Sequence, residues 1–141
     1  MASVEKTEVY DVAIEKLYAA IVDYAQYPKF VAGVDDVEVH SASETTAKVT
    51  YKLNLIKTFT YTLNHKHTKP TLVEWSLESG DFFKKNNGYW KLKDLGNGKT
   101  EVTYGLDMDL KIFAPQMILN KLASNNLPAT MKAFRDRAQG K

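Results

Sequence analysis

The sequence predicts an α+β domain: an antiparallel sheet, wetted on one face, with a long C-terminal helix covering the other. Two observations carry this expectation. Between Val34 and Leu110, apolar and polar residues alternate with period two through about six consecutive segments, the pattern of half-buried strands. From Pro115 to Ala138, apolar residues recur instead at three- and four-residue spacing, the pattern of a one-sided helix. Clean alternation gives each strand a wet and a dry face, and a helix segregated to the dry face is the α+β arrangement.

Taken in order, Ser3 to Tyr10 alternate, with Val4, Thr7 and Val9 among charges, and read as a first strand. The period changes at Ala13. Ile14, Leu17, Tyr18, Ile21 and Val22 fall at helical spacing, with Asp11 the expected cap and Tyr27-Pro28 expected to force the chain out of helix after Tyr24. A short apolar turn from Phe30 to Gly33 precedes the strand opened by Val34, Val37 and Val39. Ala47, Val49, Tyr51, Leu53 and Leu55 share one face and Phe59, Tyr61 and Leu63 repeat it, which implies a hairpin turning at Leu55-Ile56-Lys57. After Lys69 and Pro70, Thr71, Val73, Trp75 and Leu77 alternate with Leu72, Glu74, Ser76 and Glu78 until Gly80 and Asp81 break the strand. Trp90 and Leu92 lead into Gly96-Asn97-Gly98, the strongest hairpin signal in the chain, because Asn and Gly tolerate positive φ. Val102, Tyr104, Leu106, Met108 and Leu110 return on one face. In the last helix Pro115 suits the first turn, where its missing N–H loses no partner. Pro128 removes an internal hydrogen bond, which predicts a kink or restart near Asn125 and Asn126.

The 141 residues fit one domain, 1–141, with no linker or repeat, and are enough to bury a core without staples. There is no cysteine, which excludes disulfides and thiolate chemistry. The stretch from Met1 to Lys6 has no apolar core of signal-peptide length, and no run approaches the ~20 residues needed to cross a bilayer. A cytoplasmic protein is expected, with contact to a membrane at most peripheral. A net charge of +2 gives no strong reason to expect nucleic acid as the main partner.

The run Asp23-Tyr24-Ala25-Gln26-Tyr27-Pro28-Lys29-Phe30-Val31 resembles the Asp, Tyr-Pro, Phe signature that follows the first helix in the polyketide cyclase and coenzyme Q-binding branch of the START-like helix-grip superfamily, SRPBCC. Trp75 to Phe82 is similar to that branch's strand-ending Gly-x-Phe feature, and Gly88-Tyr89-Trp90, followed by the Gly96-Asn97-Gly98 turn, to its Gly-x-Trp strand. The resemblance spans nearly the whole chain. It implies a helix-grip fold: a curved antiparallel sheet of about six to seven strands wrapped around a long C-terminal helix, with two short helices after strand 1. It also implies an apolar cavity between sheet and helix, used in the superfamily for lipid or quinone carriage or for ring cyclisation. Fold alone does not choose between these. Cyclases of the aromatic polyketide kind are expected to place arginine, histidine or acidic groups in the cavity, whereas the arginines here, Arg135 and Arg137, sit near the chain end.

Several constellations compete for a functional role. Phe30, Tyr51, Leu53, Phe59, Tyr61, Leu63, Trp75, Leu77, Trp90, Leu92, Tyr104, Leu106 and Met108, with Met117, Leu122 and Leu127 from the helix, either fill a solid core or line an adaptable pocket. Tyr51, Tyr61, Asn125 and Asn126 are the polar side chains that would orient a ligand there. His65 and His67 stand two apart and so share a face. Parity with Phe59, Tyr61 and Leu63 points them inward, while Lys66, Lys69 and Pro70 suggest a solvated strand end. Spacing marks out no third ligand, so no metal site is predicted, and no cofactor is implied. His40 reads as a surface strand residue. Asp107 with Asp109, and Glu74 with Glu78, alternate with apolar positions and are expected in solvent. Lys84, Lys85, Asn86, Asn87, Lys91 and Lys93 form a basic stretch beside aromatics, a mixture used by single-strand binders but also by solvated sheet faces. Leu55 with Ile56, and Ile112 with Phe113, are apolar where turns are usually polar, and Ile56 and Phe113 are candidates for a membrane contact or a mouth gate.

The leading expectation is a non-enzymatic module that encloses a lipid, isoprenoid or quinone between sheet and helix. A cyclase or dehydrase-like enzyme using His65, His67 or a tyrosine as acid or base is second. A ribosome or RNA interaction through Lys84, Lys85, Lys91 and Lys93 is third.

Overall fold

The structure is a computed structural model that describes residues 2–31, 34–54, 58–81, 83–110 and 129–140. Seven strands form one antiparallel sheet: β1 (Ala2–Tyr10), β2 (Val34–Ala42), β3 (Thr46–Asn54), β4 (Thr58–Thr68), β5 (Leu72–Gly80), β6 (Phe83–Gly96) and β7 (Lys99–Leu110). Their spatial order is β1-β7-β6-β5-β4-β3-β2. Six strands thus follow one another as a meander, and β1 closes the far edge by pairing with β7, Ala2 opposite Met108 and Tyr10 opposite Thr100. Between β1 and β2 run α1 (Ile14–Val22), a turn of tighter helix (Tyr24–Gln26) and the four-residue α2 (Tyr27–Phe30). Residues 129–138 form the C-terminal helix, α3. The helix-grip expectation is met by this curved sheet, its short helices after strand 1 and its C-terminal helix. The predicted start at Pro115 and kink at Pro128 fall outside the described residues.

The dry face of the sheet carries the core. Leu17 and Ile21 of α1 are completely buried, as are Val49, Val102 and Met131. Each such side chain contributes about 1.5–3 kcal/mol by leaving water. Phe134 of α3 packs edge-on against Tyr27, Phe30 and Trp90, with ring centroids 5.2, 5.1 and 5.0 Å away. The helix is thereby docked onto both the sheet and the segment after α1. A second cluster, Phe59, Phe83 and Met108, fills another part of the same face.

Local expectations needed correction at three points. Asp11 does not cap α1: Ala13 occupies that position and no side chain bonds the helix start. Pro28 does not end helix but sits in the first turn of α2, a position where proline is well accommodated. The last turn of α1 is instead finished by Tyr27, whose hydroxyl donates to the Ile21 carbonyl, an acceptor that the helix leaves unpaired. Val9, expected among the apolar positions of the first strand, is exposed, and the inward residues of β1 are Val4 and Tyr10. The Gly96-Asn97-Gly98 turn has φ values of 81°, 56° and 73°, the left-handed conformations its residues favour. Among the described residues no helix is long and apolar enough to cross a membrane.

Candidate functional site

The sheet, the Tyr24–Phe30 segment and α3 line a partly open cavity of about 170 Å³. Its described wall is largely aromatic. Tyr24 and Tyr27 come from the segment after α1, Tyr51 from β3, Tyr61 from β4, Trp75 from β5, Trp90 from β6, Tyr104 from β7 and Phe134 from α3. Tyr51 stacks on Tyr61 at 5.3 Å and 21°, and Trp75 and Trp90 lie against Tyr104 at 5.6 and 4.6 Å. No Asp, Glu, Lys or Arg is among the described lining residues.

Of the residues predicted to meet a ligand, Tyr51, Leu53, Tyr61, Leu63, Trp75, Trp90, Tyr104, Leu106 and Met108 line this cavity. Phe30, Phe59, Leu77 and Leu92 do not. Leu92 is buried in the main core, against which Phe30 packs beside Phe134, and Phe59, with Leu77 against it, belongs to the second cluster. Strand parity assigns a residue to a face but not to a place along that face. Met117, Leu122, Leu127, Asn125, Asn126, Ile56 and Phe113 all lie outside the described residues.

The two histidines are inside. His65 and His67 are 6% and 8% exposed, which overturns the solvated strand-end reading. The reason is Tyr24, whose ring lies over both, 4.3 Å from His65 and 5.9 Å from His67. Each imidazole is also tied by Nε2 to a phenol, His67 to Tyr24 at 2.8 Å and His65 to Tyr51 at 2.7 Å. Burial pushes the His65 pKa down to about 3, helped by the neighbouring His67, and burial lowers His67 as well. Both are therefore neutral near pH 7. A base whose conjugate acid has so low a pKa is poorly matched to proton transfer at neutral pH. Burial also raises the pKa values of Tyr61 and Tyr104, keeping both hydroxyls protonated. Among the described residues, no group of three His, Asp or Glu side chains is arranged to hold a metal ion.

Sequence reasoning missed several wall residues, Asn86 above all. It was expected in a basic outer stretch, yet it is 7% exposed, faces the cavity and accepts a 3.1 Å hydrogen bond from Trp75 Nε1. The cause is a bulge in β6. Phe83 pairs with Leu110 and Lys85 with Asp109, so the alternation shifts by one and both Phe83 and Asn86 turn inward. Gly88 completes the arrangement. It pairs with Trp75 across the β5–β6 ladder, and a Cβ there would collide with the Trp75 indole and the Gly105 carbonyl oxygen.

The outer face carries mixed charge. Lys85 is ion-paired with half-buried Asp107 and Lys48 with Glu78 at 3.0 Å, Lys91 lies 4.7 Å over the Tyr89 ring, and Lys93 stands opposite Glu101. Glu74 is exposed as expected, whereas Asp107 and Asp109 are partly covered rather than free in solvent.

Among solved structures, a START superfamily protein from Mycobacterium smegmatis superposes with a TM-score of 0.86 at 18% identity, covering 98% of this chain and 97% of that one. The Zhui aromatase/cyclase from a Streptomyces species gives 0.86 at 14% identity over 98% and 93%. A STAR-related lipid transfer protein fragment from Xanthomonas axonopodis gives 0.84 at 14% over 97% and 85%. At these identities the likeness is one of fold. No curated protein sequence matches the chain. The family model described as polyketide cyclase / dehydrase and lipid transport matches residues 10–135. With that match over most of its length and the START-like fold beneath it, the chain belongs to the polyketide cyclase / dehydrase and lipid transport family.

Proposed function

We propose that the protein binds a hydrophobic small molecule, a lipid, isoprenoid or quinone, in the cavity between sheet and C-terminal helix, and works as a carrier rather than through acid–base chemistry. The observation that carries this is the cavity itself: about 170 Å³ with an aromatic wall and no charged side chain among its described lining residues. An apolar cavity of about 150 Å³ is enough to take up benzene, so a ring head group fits. Binding draws on burial of apolar surface, at ~25 cal/mol per Å². The neutral, weakly basic histidines speak against an acid–base enzyme. Pairing of Lys85 with Asp107 speaks against a phosphate-tracking surface. Ile56 and Phe113, apolar where the sequence pattern leads one to expect turns, extend the reading to a peripheral contact with a membrane from which such a ligand would be taken.

Native mass spectrometry of the purified protein, followed by solvent extraction, tests it. An apolar adduct released into the organic phase is expected. Protein that carries no adduct and takes none up from a mixture of fatty acids, isoprenols and short-chain quinones would refute the reading.

A further inference from the structure

Asn86 is the one carboxamide among the described lining residues of the cavity, and Trp75 decides how it is presented. An indole N–H can only donate, so it must pair with the carboxamide oxygen. The Asn86 amide nitrogen is left with both of its N–H groups, and among the described residues they meet no acceptor. The arrangement is built rather than incidental. The β6 bulge turns Asn86 inward, and Gly88 makes room for the indole that holds it.

The other polar groups of the wall offer less choice. His65 Nε2 is engaged by Tyr51, and its Nδ1 is enclosed with no accessible surface. The hydroxyls of Tyr61 and Tyr104 form no hydrogen bond among the described residues, and burial holds their protons in place. With the hydroxyls of Tyr61, Tyr104 and Thr130, which can donate as well as accept, the cavity presents several donors to its occupant and no charged side chain among its described lining residues. Donors buried against a hydrocarbon remain unpaired, at the full cost of their desolvation, whereas an uncharged ligand with a well-placed oxygen satisfies them.

We infer that Asn86 is the specificity-determining anchor of the cavity, donating its amide N–H to a carbonyl oxygen of an uncharged aromatic ligand. The inference rests on the cavity-binding reading above and narrows its ligand to ring ketones and quinones over hydrocarbons and carboxylates.

The test is a pair of titrations of the purified protein, followed by amide NMR, with 1-tetralone and tetralin, which share a shape and differ in the carbonyl group. A net hydrogen bond predicts about three- to tenfold tighter binding of tetralone by the unaltered protein. In Asn86→Leu that preference should vanish while tetralin affinity stays within about twofold. A preference that survives in Asn86→Leu, or equal binding of both compounds by the unaltered protein, overturns the anchor while leaving the cavity reading intact. Binding of neither compound by the unaltered protein overturns the anchor and its ring-ketone ligand, while the cavity reading is decided by the extraction and uptake test above. Should Asn86→Leu fail to fold, Trp75→Phe decides, since it removes the N–H that orients the carboxamide and keeps an aromatic wall. Its tetralone preference should fall by at least about half, and an undiminished preference overturns the inference.

Discussion

Tyr51 and His65, on adjacent strands, are joined by a 2.7 Å hydrogen bond between the phenol oxygen and Nε2, inside the protein and beside the cavity. With Tyr24 bonded to His67, it makes a buried phenol–imidazole pair of pairs with no carboxylate partner among these bonds. Such a cluster is stable only while the imidazoles are neutral.

Acidification should therefore unfold the protein through these histidines. The His65 pKa is lowered from 6.5 to about 3 in the folded state, so between those values the unfolded chain binds a proton that the folded chain refuses. Stability then falls as pH falls across that window, by on the order of 1 kcal/mol per pH unit for one site. Above pH 6.5 neither state is protonated at His65 and this contribution is flat. His67, shifted in the same direction, steepens the loss. Urea midpoints at several pH values, for the unaltered protein and His65→Gln, read this out. The variant should show a shallower decline, and parallel curves would sink the assignment.

Gly88 should tolerate no side chain. Gly88→Ala drives a Cβ into the Trp75 indole and the Gly105 carbonyl oxygen, and the backbone atom cannot rotate away. A loss of about 1–3 kcal/mol is expected, the usual range for overpacking. Chemical denaturation measures it, and an unchanged midpoint would show that the ladder yields without strain.

Docking of α3 should depend on Phe134. That ring is 2% exposed and meets Tyr27, Phe30 and Trp90. Phe134→Ala should destabilise by about 3–5 kcal/mol and raise hydrogen exchange across residues 129–138 more than in β3 or β4. Exchange that rises equally everywhere would mean that the helix and sheet open together.

The proposed membrane contact predicts that Ile56→Asp and Phe113→Asp weaken co-sedimentation with liposomes while leaving the thermal midpoint within a few degrees. Unaltered sedimentation in both variants would remove the membrane from the proposed function.

The fold was legible because its two periods are clean. Residues such as Val49, Tyr51 and Leu63 sit where alternation puts them, and α1 buries the Ile14, Leu17, Tyr18 and Ile21 that its spacing marks. The wall of the cavity was only partly legible. Asn86 was hidden by a bulge, which changes face without changing composition. The lysines around His65 and His67 signalled solvent, but Tyr24, more than forty residues earlier in the chain, seals them. The Tyr-Pro run marks itself as a signature, but its rings carry no mark of the wall they form, because nothing local says that the segment after α1 folds back over β3 and β4.

Both tryptophans of the chain, Trp75 and Trp90, stand on the cavity wall with Tyr104 in contact with each. All indole fluorescence of this protein consequently originates at the proposed binding site, and tyrosines such as Tyr104 lie close enough to pass excitation to it. A ligand entering the cavity will alter the colour and yield of that emission at once, and a quinone will quench it. The protein thus carries an unlabelled optical gauge of its own occupancy, with no tryptophan elsewhere to dilute the signal.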